Sequence, residues 1–181
     1  MIRPQNIQNL VDIGSIQPAD VSADHQRQFV ADAKDYLADA GAQSASNRGR
    51  FTLSYEGLHC LAMAVLNFYG CRAGNTAGHR TIALQVFADG VGISWPALEQ
   101  MHKARNKTTY NDPHPPVSKM QADTALQLLR QALPATEKLI GLSAPAASVS
   151  AAAEGIKAKL GAPDSGKPPP AKSESDPGPQ D

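Results

Sequence analysis

The residues best equipped for chemistry lie in one short stretch, SWPALEQMHKARNKTTY at positions 94–110. Arg105 and Asn106 are adjacent, His102 stands three residues before the arginine, and Tyr110 lies five after it. A guanidinium keeps its charge and offers a planar fork that makes two hydrogen bonds to phosphate oxygens. An imidazole titrates near neutrality and exchanges protons there. Leu98, Met101 and Arg105 recur at spacings of three and four, which places them on one face of a helix. A charge that continues an apolar stripe is costly to bury unpaired, so Arg105 belongs at an interior seam or a cleft. The plainer alternative is that it snorkels past the core and pairs with a carboxylate.

His79 and Arg80 open a second short helix, predicted over 79–89, where first-turn N–H groups favour an anion. A solvated helix start is the plainer reading of that pair. Before it, GCRAGNTAG at 70–78 carries three glycines and reads as a loop; it matches no P-loop or dinucleotide fingerprint. Lys107 adds one more cation beside Arg105. His59 sits in a strongly apolar run and reads as a satisfied core or rim histidine rather than a ligand.

These groups need a scaffold, and the pattern of apolar residues is helical throughout. Residues 22–42 show one stripe of Phe29, Ala33, Tyr36, Leu37 and Ala40, with Ser22 or Asp24 as cap. Residues 49–69 are apolar nearly all round, which predicts a central helix in contact with several others. Gly57 within that helix costs ~1 kcal/mol against alanine and predicts a tight crossing. Further helices are expected at 95–110 and 117–141, the latter kinked or divided by Pro134. Ser118 can cap it. The first twenty residues read as a connector or a short helix ended by Gly14, with Ile16 and Pro18 as linker. The fold class is therefore all-α, an antiparallel bundle of four to five helices over 21–142. Residues 143–181, rich in Ala, Pro, Ser and Gly, lack the apolar area to offset ordering entropy and are expected to form a disordered tail.

Composition narrows the function. Lys plus Arg equals Asp plus Glu at 17 each, so non-specific binding to duplex nucleic acid over a large basic surface is not expected. Cys60 and Cys71 have no CxxC spacing and read as small core residues in a reducing compartment. No apolar run approaches the ~18 residues of a membrane span, and the opening residues resemble no signal peptide. A cytoplasmic protein with no membrane partner is expected.

Residues 20–140 resemble the HEPN superfamily of small helical bundles. The resemblance rests on RGRFTLSYEGLHCLAMAVLNFYGCR at 48–72, on His79–Arg80 after a glycine-rich loop, and on RNKTTY at 105–110. Many members carry an arginine, usually followed by asparagine, with a histidine four to six residues on. Active members cleave RNA without a metal or other cofactor, and many serve as toxins in toxin–antitoxin pairs or in phage defence. The resemblance implies RNA as partner, a homodimer whose two motifs share one cleft, and an antitoxin or a nucleotidyltransferase beside it. Leu98, Met101 and Tyr110 would supply the apolar rim of that seam. Arg105 would stabilise the charged phosphorane and Asn106 would hold the backbone or orient Arg105, while Arg80, His79 and Lys107 would hold phosphate. This sequence has Tyr110 where the family has histidine, and a phenol with pKa near ~10 is a poor base at neutral pH. His102, one turn before Arg105, is the nearest substitute, and His114 lies beyond the usual spacing. Two further classes remain open: a non-catalytic HEPN-like module binding a partner protein or nucleotide ligand, and a structural helical adaptor with Arg105 in an ion pair.

Overall fold

The computed structural model describes residues 3–75, 78–108 and 116–142. Tyr110, His114 and the tail from residue 143 lie outside the described residues. Among the described residues six helices run in the order α1 (Gln5–Asp12), α2 (Ala23–Gly41), α3 (Asn47–Phe68), α4 (His79–Val91), α5 (Trp95–Asn106) and α6 (Lys119–Leu139). Two three-residue strands, β1 (Ile16–Pro18) and β2 (Cys71–Ala73), are the only sheet among the described residues. The protein is all-α, as its apolar periodicity predicts.

Sequence chemistry accounts for the helix ends. The Ser22 hydroxyl accepts from the His25 amide and starts α2, and Ser46 does the same for the Gly49 amide at α3. Ser118 and Gln121 form a reciprocal capping box on α6, which satisfies two otherwise orphaned donors. Gly92, at φ +71°, closes α4 in the left-handed conformation that only glycine adopts without strain.

α3 is the centre. Tyr55, Leu58, Leu61, Ala62, Ala64, Val65 and Leu66 on it are all fully buried. Gly57 explains how α2 and α6 both approach so closely. A Cβ there would lie 2.8 Å from a Leu129 methyl and 3.2 Å from the Tyr36 Cβ, below ordinary contact. Lys34 and Glu137, 2.7 Å apart, tie α2 to α6 at the surface, and Arg50 and Asp123, 2.9 Å apart, tie α3 to α6.

Two expectations need correction. Residues 16–18 and 71–73 are not plain connector and loop: they pair antiparallel, Ile16 opposite Ala73 and Pro18 opposite Cys71. Ile16 and Cys71 are buried by that pairing, and Arg3 donates to the carbonyls of Tyr69 and Gly70 beside it. Pro134, in turn, leaves the last helix in one piece, which excludes the division that was one of its two expected outcomes. Pro134 lies on the exposed side, where water can satisfy the carbonyl that its missing N–H leaves without a partner.

Candidate functional site

α5 ends near the start of α4, and both lie against the middle of α3. The reason is local. Ser94 and Pro96 begin α5 directly after the Gly92 turn, so the chain reverses and carries residue 102 back beside residue 81. One polar cavity of about 400 Å³ opens there, walled by His79, Arg80, Thr81, His102, Arg105 and Asn106, with Gly78 at its edge. Five of the residues singled out from the sequence thus meet in one place. Lys107 does not join them: it is exposed at the end of α5 and lies off the cavity wall.

Behind this wall stands a carboxylate. Arg80 Nη1 lies 3.3 Å from both oxygens of Glu56, and Arg105 Nη2 lies 3.4 Å from Glu56 Oε1. These contacts are longer than the ~2.7–2.9 Å of a tight charge-assisted bond. Glu56 does not line the cavity, so it holds the two guanidiniums from the rear. The Arg105 side chain is only 15% exposed and Glu56 24%. The arginine that ends the apolar stripe is therefore paired, as the plainer reading of the sequence has it. It also faces a cavity, and Arg80 shares its carboxylate.

Tyr55 is buried behind the cavity wall and does not line it. Its ring lies beneath both cations, with Arg105 Cζ 5.5 Å and Arg80 Cζ 6.0 Å from the centroid. Its hydroxyl is 2.7 Å from His102 Nδ1. Burial raises the Tyr55 pKa, opposed by the hydrogen bond and charge of Arg80 and the charge of Arg105, so the phenol keeps its proton. On the other side of the imidazole, His102 Nε2 is 3.2 Å from Thr81 Oγ1 and 3.0 Å from Asn106 Nδ2. Burial, then the charges of Arg105 and Arg80, lower the His102 pKa. That shift favours the neutral imidazole.

His59, one turn beyond Tyr55 and Glu56 on α3, is not the satisfied histidine expected. Its Nε2 is buried without a hydrogen-bond partner among the described residues. Burial and the neighbouring Arg80 charge lower its pKa to about 4, partly offset by Glu56. A neutral ring tolerates that position and a charged one does not.

The expected apolar rim is also different. Leu98 is fully buried and Met101 is 5% exposed, so neither frames the cavity mouth. Met101 turns instead toward α6, where a second cavity of about 540 Å³ lies between α5 and α6. The sequence reading missed Tyr55, Glu56 and Thr81. Glu56 was visible as one of the few polar residues of an otherwise apolar helix; Tyr55 was indistinguishable from core, and Thr81 gave no signal. Among the described residues no cluster of His, Cys, Asp and Glu can hold a metal, and no helix is long and apolar enough to cross a membrane. No family model matches the chain, and no curated protein or solved structure is found to be similar to it.

Proposed function

We propose that the cavity between α4 and α5 binds a phosphodiester of RNA, and that the protein is a HEPN-like, metal-independent endoribonuclease. One observation carries this: Arg80, Arg105, His79, His102 and Asn106, from two helices, converge on a single polar cavity at the start of α4. The α4 N-terminus has no side-chain cap, so its first-turn amides add to the attraction for an anion. Cleavage follows from attack of the 2′-oxygen on the adjacent phosphorus, with loss of the 5′-oxygen and a cyclic phosphate on the upstream product. Arg80 and Arg105 meet the charge that builds on the phosphorane. His79 and His102 are the two imidazoles on the wall that can take the 2′-hydroxyl proton.

The resemblance carries the biological setting: a toxin of a toxin–antitoxin or phage-defence system, acting as a homodimer, with an antitoxin or nucleotidyltransferase as partner. The second reading is a non-catalytic HEPN-like module for a partner protein or nucleotide ligand. It draws on Glu56, whose carboxylate already offsets charge on both arginines.

The deciding experiment incubates purified protein with a mixed RNA pool in excess EDTA. Cyclic-phosphate ends that vanish with Arg105→Ala support the nuclease, together with growth arrest on induced expression that the same change abolishes. Tyr110→His restores the family's imidazole and should raise cleavage at pH 7. No cleavage by either the wild type or Tyr110→His would turn the assignment to the non-catalytic reading.

A further inference from the structure

The roles of the histidines depend on a proton that Tyr55 controls. Tyr55 is fully buried, and a buried phenolic O–H left without an acceptor costs about 1–3 kcal/mol. A guanidinium only donates, so Arg80 acts on the phenol oxygen and leaves the phenolic proton to be placed elsewhere. The acceptor within reach is His102 Nδ1, at 2.7 Å. A neutral imidazole that accepts at Nδ1 carries its hydrogen on Nε2. Nε2 then donates to Thr81 Oγ1, a natural acceptor; the structure places Asn106 Nδ2 against Nε2, and this tautomer requires the amide to make a half-turn that brings Oδ1 there and frees its NH2. With the opposite tautomer, the Tyr55 proton would have no acceptor among the described residues, so the buried phenol decides the matter.

We propose that Tyr55 fixes His102 as an Nε2–H donor, so that the cavity presents donors to a phosphate oxygen and His102 serves as a phosphate-binding group rather than the base. This rests on the reading of the cavity as a phosphodiester site, and it names how that site recognises its ligand. Arg80, Arg105 and His102 Nε2–H are all donors, and the freed Asn106 NH2 is a fourth. At 3.2 Å the bond to Thr81 is at the long end for N–H···O, so an anionic oxygen exchanges for it readily. Of the two imidazoles on the wall, His79 alone is left to accept a proton.

The test uses the full chain labelled with nitrogen-15. Ring-nitrogen shifts of His102, assigned by the signal lost in His102→Gln, should show Nε2 protonated and Nδ1 bare at pH 7.5; the reverse pattern overturns the proposal. Tyr55→Phe should yield a mixture of tautomers, and an unchanged pattern in that variant would mean that Tyr55 is not the lock. Titration with inorganic phosphate gives an independent reading. His102→Gln retains an N–H donor near the same place and should bind within about threefold of wild type, whereas His102→Ala should bind about tenfold more weakly. Equal losses in the two variants would defeat the donor role. The parent reading is judged separately. RNA left uncut, with the Nε2–H tautomer and phosphate binding in place, removes the nuclease and keeps this inference; RNA cut by a protein showing the other tautomer does the opposite.

Discussion

α5 has two unlike sides. One, made by His102, Arg105 and Asn106, walls the polar cavity against α4. The other, made by Ala97, Gln100, Met101 and Ala104, walls the larger cavity against Met120, Leu128 and their neighbours on α6. The larger space is the poorer candidate for chemistry. Apart from the Phe51 ring and the Thr124 hydroxyl its walls are aliphatic, thioether or amide, and its single carboxylate, Asp123, is engaged by Arg50 and Lys119. The smaller space holds two guanidiniums, two imidazoles and an open helix start. What the contrast teaches is that volume does not locate function; convergent polar groups do. It also divides the expected effects of substitution: the polar side should govern binding and turnover, and the apolar side stability.

The largest effect should come from Arg105→Ala. It removes a charged donor that acts mainly on the transition state, which lowers turnover by about 10²–10³. Cleavage measured under EDTA at saturating RNA checks it. Retained cleavage would move the chemistry away from α5 altogether and dissolve the contrast.

Next is Leu128→Ala, on the opposite wall. Leu128 is 9% exposed, so its truncation leaves a partly hydrated gap and should cost about 2–3 kcal/mol, the low end for such a change. Urea unfolding measures it. Inorganic phosphate should bind this variant as it binds wild type, and a loss of phosphate affinity there would mean that the two sides of α5 are coupled.

How much of this was legible in the sequence differs between the two sides for a physical reason. The helices, the central place of α3, the tight approach at Gly57 and the Ser22 and Ser118 caps all follow from periodicity and cap chemistry, which are local. His79–Arg80 and Arg105–Asn106 were readable as candidate anion-binding pairs, the first from its helix start and the second through the family resemblance, though not their meeting in one cavity. The shared carboxylate was not. Glu56 acts through a distance of 49 residues to Arg105, and no local pattern reports which helix will cross which. Tyr55 was hidden more thoroughly, since a buried tyrosine in an apolar stripe gives no sign of where its hydroxyl points. The β1–β2 pairing escaped because three-residue strands carry no measurable alternation.

A smaller effect tests the cavity's rear. His59 has a folded pKa of about 4 against an ordinary 6.5. The unfolded chain therefore binds this proton more readily, and the neutral ring's contribution to stability is complete above about pH 6.5. It is lost as pH falls toward 4. A shift of that size corresponds to ~3 kcal/mol, and partial exposure of the ring reduces the expectation to about 1–2 kcal/mol. Urea melts between pH 7 and 4 should show the decline, and His59→Gln should shallow it, with His102 supplying part of the remainder in the same direction. Asp123, on the apolar side, has its pKa lowered chiefly by a hydrogen bond from Lys119, so its contribution fades only below the ordinary carboxylate value of 3.8. The two sides are thus separable by pH window. An identical slope in His59→Gln would place the acid sensitivity elsewhere.

The smallest effect expected is that of Lys107→Ala, and it sets the boundary of the site. Lys107 follows Asn106 at the end of α5, is exposed, and does not line the polar cavity. Its charge reaches a phosphate in the cavity only through solvent, where screening at ~0.15 M salt acts over about 8 Å. The affinity for inorganic phosphate should therefore change by less than about twofold, within the small range of exposed charge interactions. Arg80→Ala, one wall away from Arg105, should cost far more, because that guanidinium faces the ligand directly and shares Glu56 with Arg105. Isothermal titration of the two variants beside wild type, at two salt concentrations, makes the comparison. If Lys107→Ala weakened phosphate binding as much as Arg80→Ala, the anion would sit beyond the end of α5, outside the cavity walled by His79, Arg80, His102 and Arg105. The division of α5 into a binding side and a packing side would then have to be redrawn along its length instead of around its axis.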